Sequence, residues 1–403
     1  MNVEEAKSIA ILGRQPALGI AELESLYGAD HTLPYGNEVC LLDLEACAID
    51  FNRLGGSMRV GTVLLKLPST KWSDIENLLL KAAPEHAAKV EGKLSFGISV
   101  FGIKVSPKQV AKTALLMKKS IKNSGKSVRM VPHKAVTLGS AVVLHNKLHR
   151  SGNWELLIIS DGQSAYLAQT NFIQDIDAYS ARDQARPMRD AKVGMLPPKL
   201  AQIITNLACG KIESGERRTE NDETTILDPF CGTGVLLQEA ALMGLSLYGS
   251  DIEPKMIDYT RKNLQWLEEL RGQKYKIVNL ETADATNHNW SPTPDIVAAE
   301  TFLGHPLSAL PNGEHLSKII YEANIINHRF LQNIASQLKP GTRLALGMPV
   351  WKGRHEFLHL PLLDHLTDMG YTRLRLKHVA DKDLIYHREN QIVGRELLVL
   401  EKR

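Results

Sequence analysis

The sequence predicts an α/β fold: a doubly wound, mostly parallel sheet in the C-terminal half, preceded by smaller α+β domains. Three observations predict it. From residue 199 onward, short apolar runs alternate with longer helical segments, and such alternation buries both faces of a parallel sheet under helices. A tight glycine turn, DPFCGTG at 228–234, joins one of these strands directly to a helix. The first 175 residues instead read as two compact units of closely spaced strands and helices. A chain of 403 residues accommodates roughly two to four domains of about 100–200 residues each.

In the first unit, the apolar run at 8–12 is a strand. Residues 17–27 carry apolar positions at helical spacing, 39–42 is a second strand, 44–54 a second helix and 61–67 a third strand. In the second unit, 72–83 is helical. Residues 93–105 alternate as SFGISVFGIKV, a strand pattern with its own glycine punctuation. Ser106 then caps a helix over 107–123, with Pro107 at its first position and Val110, Ala114, Met117 and Ile121 as its apolar stripe. Further strands are predicted at 127–131, 141–144, 154–160 and 165–169. The polar, proline-punctuated stretch 175–198 is a domain boundary. Beyond it come a helix at 200–208, a buried strand at 224–227, a helix at 234–243 and a strand at 247–250. A helix at 254–270 follows, then strands at 277–281 and 295–299 and a long helix at 317–338. A strand at 343–347, a helix at 357–369 and strands at 372–379 and 396–401 close the chain.

Composition narrows the function. Hydrophobic residues make up 43% and charged residues 23%, which excludes a disordered or fibrous chain. No apolar run approaches the ~20 residues that cross a bilayer, and Glu4 and Glu5 stand where an export signal carries positive charge. Cys40, Cys47, Cys209 and Cys231 form no C-x-x-C pair, so neither a disulfide framework nor a metal site is expected, and a reduced, cytoplasmic setting fits. The net charge of +3 hides a segregation. Residues 1–50 hold two Lys/Arg against nine Asp/Glu, whereas residues 101–150 hold eleven Lys/Arg and no acid. Lys104, Lys108, Lys112, Lys118, Lys119, Lys122, Lys126, Arg129 and Lys134 are the candidate phosphate-binding cations of that stretch, and His133, His145 and His149 can add charge at lower pH. A solvated face kept charged for solubility is the competing account.

The segment ILDPFCGTGVLLQEA at 226–240 is the sharpest signal. A strand ends at Asp228, Gly232 and Gly234 remove side chains from the turn, and a helix N-terminus points at whatever binds there. The turn lacks the G-K-[ST] of a phosphate-binding loop, and Leu237 stands where a dinucleotide fingerprint needs its third glycine. Asp251 ends the next strand, where a carboxylate faces a ribose, and Asp284 ends the third, within reach of an adenine amine. Asp228 suits a cationic amine. Adenosine with a charged amino-acid tail describes S-adenosyl-L-methionine. Capping of the following helices is what each acid alone would do.

These segments resemble the THUMP-domain tRNA methyltransferases that methylate the exocyclic amine of guanosine-10. DPFCGTG looks like that family's first motif and GSDIEPKMIDYTRKNL (249–264) its second; RDQARPMRDAKVGMLPPKLAQIITNLA (182–208) is similar to the segment over the methionine end of the cofactor, and DLIYHRENQIVGRELLVLEK to the final hairpin. The resemblance implies a Rossmann-like class I methyltransferase domain at 199–403, a ferredoxin-like domain at 1–68, a THUMP-like RNA-binding domain at 69–175 and a linker at 176–198. It assigns Met195, Leu196, Pro198, Phe230, Cys231, Ile252 and Ala285 to cofactor binding beside the residues above, with tRNA as partner. An activator protein is known for some relatives, and a monomer is the expected state. Cys231 reads as a packing residue rather than a nucleophile.

The family places a D-P-P-Y type motif after the fourth strand; here the strand DIVAA runs into Glu300-Thr301-Phe302-Leu303-Gly304. Glu300 can still accept from a base amine and take its proton, and Phe302 can stack on the base. Three readings stay open: a guanosine N2-methyltransferase, a methyltransferase for another base of RNA or DNA, and a tRNA-binding protein without catalysis.

Overall fold

A computed structural model describes residues 5–190, 196–211, 224–305, 307, 311, 313–353, 356–389 and 391–403. The chain divides into two compact units. The first comprises Met1–Ile20, Gly28–Asn52 and Gly56–Asp177; the second comprises Ala21–Tyr27, Arg53–Gly55 and Ala178–Arg403.

The first unit is built on one eight-stranded sheet. Its strands are β1 (Ser8–Leu12), β2 (Thr32–Tyr35), β3 (Val39–Leu42), β4 (Ser57–Leu67), β5 (Leu94–Phe101), β6 (Val128–Met130), β7 (Trp154–Ser160) and β8 (Ala165–Ile173), in the order β2-β3-β1-β4-β8-β7-β5-β6. The antiparallel β4–β8 ladder joins strands from either side of residue 68. Strand β2, absent from the sequence reading, carries Pro34 and lies at the sheet edge, where a missing N–H costs no ladder bond. Helices α2 (Trp72–Ala88) and α3 (Pro107–Asn123) bury Ile75, Leu79, Val110, Ala114, Met117 and Ile121 in one core with Leu94, Phe96 and Ile98. The predicted cap is present: Gln109 N donates to Ser106 Oγ at 3.3 Å within a full capping box. Two expectations fail here. Residues 44–54 form not a helix but two short 3₁₀ turns, Ala46–Ala48 and Phe51–Arg53, because Ile49 adopts an extended backbone between them and is buried. Residues 141–144 lie not in a strand but in a short helix, α4 (Ser140–His145); the β-branched pair misleads, since only Val143 turns inward while Val142 is exposed.

The second unit carries the predicted doubly wound sheet. Its strands are β9 (Thr225–Asp228), β10 (Ser246–Asp251), β11 (Ile277–Thr282), β12 (Ile296–Glu300), β13 (Arg343–Lys352), β14 (Phe357–Leu358), β15 (Tyr371–Arg373), β16 (Ile385–Tyr386) and β17 (Val393–Lys402). The main order is β11-β10-β9-β12-β13-β17-β15. The first five strands in that order are mutually parallel, and β17 is antiparallel to β13. After β9 the chain winds outward to β10 and β11, then crosses back to β12 on the other side of β9. That reversal opens a crevice at the C-terminal ends of β9 and β12, where doubly wound sheets bind ligands. Beyond α1 (Pro16–Tyr27) and the short α5 (Ile176–Ser180), helices α6 (Pro198–Cys209), α7 (Val235–Leu242), α8 (Pro254–Arg271) and α9 (Gly313–Ala335) cover the sheet. In α6 ten of twelve residues are buried, and its buried Asn206 is satisfied by Arg53 Nε at 2.8 Å and by donating to Glu22 Oε1 at 2.7 Å. The predicted helix at 357–369 is overturned: Pro361 lacks the N–H that a helix interior uses and instead opens a 3₁₀ turn, Pro361–His365, after β14. The strand predicted over 372–379 is confined to β15. Among the described residues no helix is long and apolar enough to cross a membrane.

Candidate active site

The turn after β9 is fastened on three sides. Cys231 N donates to Ser250 O at 3.0 Å, Gly232 N donates to Asp251 Oδ2 at 2.9 Å, and Thr260 Oγ1 donates to Gly232 O at 2.9 Å. Gly232 and Gly234 both have positive φ, 51° and 79°. From the polar stretch before α6, Met188 N donates to Asn263 Oδ1 at 2.9 Å, while Asn263 Nδ2 donates to Met188 O at 2.9 Å and Thr233 O at 2.8 Å. Arg182 Nε bonds Glu239 Oε1 of α7 at 2.7 Å, both side chains buried. The segment at 182–190 is thereby tied to the glycine turn and its helix.

These elements enclose a cavity of about 530 Å³ at the predicted crevice. Asp228, Phe230, Cys231, Gly232, Asp251, Ile252, Asp284, Ala285, Leu196, Glu300 and Phe302 all line it. Two predicted residues do not. Gly234 packs against α8 instead: a Cβ there would lie 2.8 Å from Thr260 Oγ1, so its small size serves helix packing rather than ligand approach. Pro198 is the first residue of α6 and is buried, fixing that helix's start rather than touching the cavity. Met195 lies outside the described residues. Glu253, Thr286, His305, Ile326 and Arg329 also line the cavity; Glu253 falls within the 249–264 motif without a signal of its own, and the other four carried no sequence signal. Ile326 and Arg329 come from α9, whose period shows a buried face but not which cavity its edge reaches.

Burial governs the electrostatics. Asp228 is 2% exposed, and among the described residues its Oδ1 accepts only from Phe230 N, at 3.1 Å. Desolvation pushes its carboxyl well above the ordinary range, and the charges of Asp251 and Glu300 add to that. Burial raises Asp251 as well, against the hydrogen bonds from Glu253 N and Gly232 N. Burial likewise keeps Cys231 a thiol, in line with a packing role. Asp284 holds the next turn, accepting from Thr286 N at 2.9 Å and Thr286 Oγ1 at 2.8 Å. Ile252, 62% exposed, offers an apolar wall at the rim.

At the end of β12, Glu300 Oε1 accepts from Arg395 Nε of β17 at 2.7 Å. Phe302 is partly buried on the sheet core, its carbonyl accepts from Asn327 Nδ2 at 3.1 Å, and its ring meets His305 edge-on at 5.9 Å. Phe230 meets Phe330 of α9 edge-on at 5.0 Å.

Residues 220–387 match the family model described as a methyltransferase domain. The cavity lies at the strand ends that the glycine turn and the acids marked in the sequence. Over 171 residues the chain is 33% identical to a curated tRNA (guanine(10)-N2)-dimethyltransferase of Methanothermobacter thermautotrophicus, covering 41% of this chain and 43% of that protein. It is 42% identical over 72 residues to the protein of the same description from Methanocaldococcus jannaschii, 18% of each chain. The chain therefore matches less than half the length of these relatives. The crystal structure of TrmN from Thermus thermophilus superposes with a TM-score of 0.52 at 17% identity, covering 98% of this chain and 99% of that one, so the likeness of fold extends well beyond residues 220–387.

In the first unit, Lys104, Lys108, Lys112, Lys119, Lys122, Arg129 and Lys134 are exposed and Lys118 is partly so. At about 100° per residue, Lys108, Lys112, Lys119 and Lys122 share one stripe of α3, opposite the face that buries Val110 and Met117. Two cations are engaged locally. The Lys126 ammonium donates to the Val90 carbonyl and is partly buried, which removes it from the exposed set. Arg129 donates to Asn146 Oδ1 at 2.7 Å. Burial lowers the pKa of His133 and of His149, so neither gains charge as readily on acidification as the sequence suggested.

Proposed function

We propose that this protein transfers a methyl group from S-adenosyl-L-methionine to the exocyclic N2 amine of a guanosine in tRNA. One observation carries the reading: Asp228 and Glu300, at the C-terminal ends of adjacent strands β9 and β12, face the same cavity. The residues fit the cofactor. Asp228 is a buried carboxyl with, among the described residues, only its own turn's N–H for a partner, as a site for a ligand ammonium requires. Asp251 and Asp284 stand at successive strand ends beside the apolar Ile252 and Ala285, suiting a ribose and an adenine. Bound there, the cofactor supplies an electrophilic methyl on sulfonium sulfur. The chain's own work is orientation and proton removal. Glu300, steered by Arg395, accepts an N–H from the amine and takes the proton as the new N–C bond forms. Phe302 offers a stacking face. The basic stripe of α3, in the THUMP-like 69–175 region, holds tRNA phosphates.

The guanosine-10 specificity of the curated relatives supports the choice of base. The test incubates the purified protein with methyl-labelled cofactor and unmodified tRNA transcripts, followed by nucleoside mass spectrometry. N2-methylguanosine is the expected product. Label in another base, or tRNA binding with no transfer, would overturn it.

A further inference from the structure

Five carboxylates line the cavity, namely Asp228, Asp251, Glu253, Asp284 and Glu300, and among the described lining residues Arg329 is the only lysine or arginine. No hydrogen bond or ion pair engages its guanidinium among the described residues. Its backbone is nonetheless well fixed. Asn327, two residues earlier on α9, donates to the carbonyl of Phe302 at 3.1 Å, and Phe330, the next residue, packs edge-on against Phe230. The turn of α9 that carries Arg329 is thus bonded to the Glu300–Phe302 side of the cavity, where the acceptor base enters.

We propose that Arg329 reads the O6/N7 edge of the guanine whose amine meets Glu300. The inference rests on the guanosine reading above and adds its source of base selectivity. A guanidinium is a donor-only fork, and a carboxylate is acceptor-only. Guanine supplies the complement to both: N–H donors on N1 and N2 for Glu300, and paired acceptors O6 and N7 for Arg329. Adenine sets an amine donor beside its N7, which faces the fork with like polarity. The two side chains together select guanine over the other purine without any aromatic specificity, since Phe302 stacks on either.

The test uses tRNA in which the methylated guanosine is replaced by 7-deazaguanosine, which lacks the N7 acceptor and keeps the N2 amine. Wild type should lose roughly 10- to 100-fold in kcat/KM on the 7-deaza substrate, the worth of a bidentate base contact. Arg329→Ala should lose a similar factor on ordinary guanosine and show no further loss on the analogue; Arg329→Lys should resemble it, because a point charge cannot fork. Arg329 is exposed, so these variants are expected to fold. A full 7-deaza penalty persisting in Arg329→Ala overturns the proposal alone, and so does a variant whose only change is a raised KM for the cofactor. Failure of wild type to methylate guanosine in any tRNA removes the underlying reading, and this one with it.

Discussion

Arg395 holds Glu300 across an intervening strand: its Nε lies 2.7 Å from Glu300 Oε1, and the two side chains are only 8% and 14% exposed. Glu300 ends the parallel strand β12, while Arg395 sits on the antiparallel β17, with β13 between them. Strand β17 thereby aims a carboxylate that lines the cavity.

Separating this pair should affect catalysis before cofactor binding. Glu300→Gln keeps the shape and removes the proton acceptor, so single-turnover rates should fall by about 10²–10⁴-fold with cofactor affinity near wild type. Arg395→Ala leaves a nearly buried carboxylate unpaired, and thermal unfolding should register a loss of about 3 kcal/mol or more. Equal rates for Glu300→Gln and wild type would remove Glu300 from the chemistry.

Asp251 has two tasks: its Oδ2 accepts from Gly232 N, and its Oδ1 accepts from Glu253 N at 3.0 Å. Asp251→Ala frees the glycine turn and removes the ribose acceptor together. Calorimetry should show cofactor affinity weaker by at least about tenfold, with about 1–3 kcal/mol lost for the buried Gly232 N–H left unpaired. Unchanged affinity would contradict the ribose assignment.

Asp228 is expected to make cofactor binding depend on pH. Its folded-state pKa is raised by burial, and a ligand ammonium favours the ionised form. Binding should therefore release a proton and weaken as pH falls through that raised value, seen as a buffer-dependent calorimetric enthalpy. The sign for folding is opposite to that of a paired acid. A raised carboxyl costs the free protein stability as pH climbs from the unfolded carboxylate range to the folded value. Asp228→Asn should be more stable than wild type at neutral pH by chemical denaturation, with that slope flattened and proton release abolished.

The lysine stripe of α3 should act through phosphates. Reversing Lys112, Lys119 and Lys122 to Glu is expected to weaken tRNA binding and lower the slope of log K against log salt by roughly 0.7–0.9 per lost contact. An unaltered slope would identify the stripe as a solvated face. Lys126, bonded to the Val90 carbonyl, should instead report as a stability residue.

Strand and helix alternation, the glycine turn and the acids at successive strand ends were legible without coordinates, because each is written in neighbouring residues. A period, a cap or a turn needs only a few positions to declare itself, so β9 through β12 and the acids that line the cavity followed from local pattern. Local pattern misleads where a short apolar run fits either period, as at Val142 and Val143, or where Pro361 cuts a helical stripe. What only the tertiary structure decided lies between residues far apart along the chain. Arg395 reaches Glu300 over 95 positions, Thr260 claims the space beside Gly234, and Arg329 joins the cavity from α9. Those relations depend on which strands and helices become neighbours, a result of packing the whole sheet that no single stretch of sequence carries.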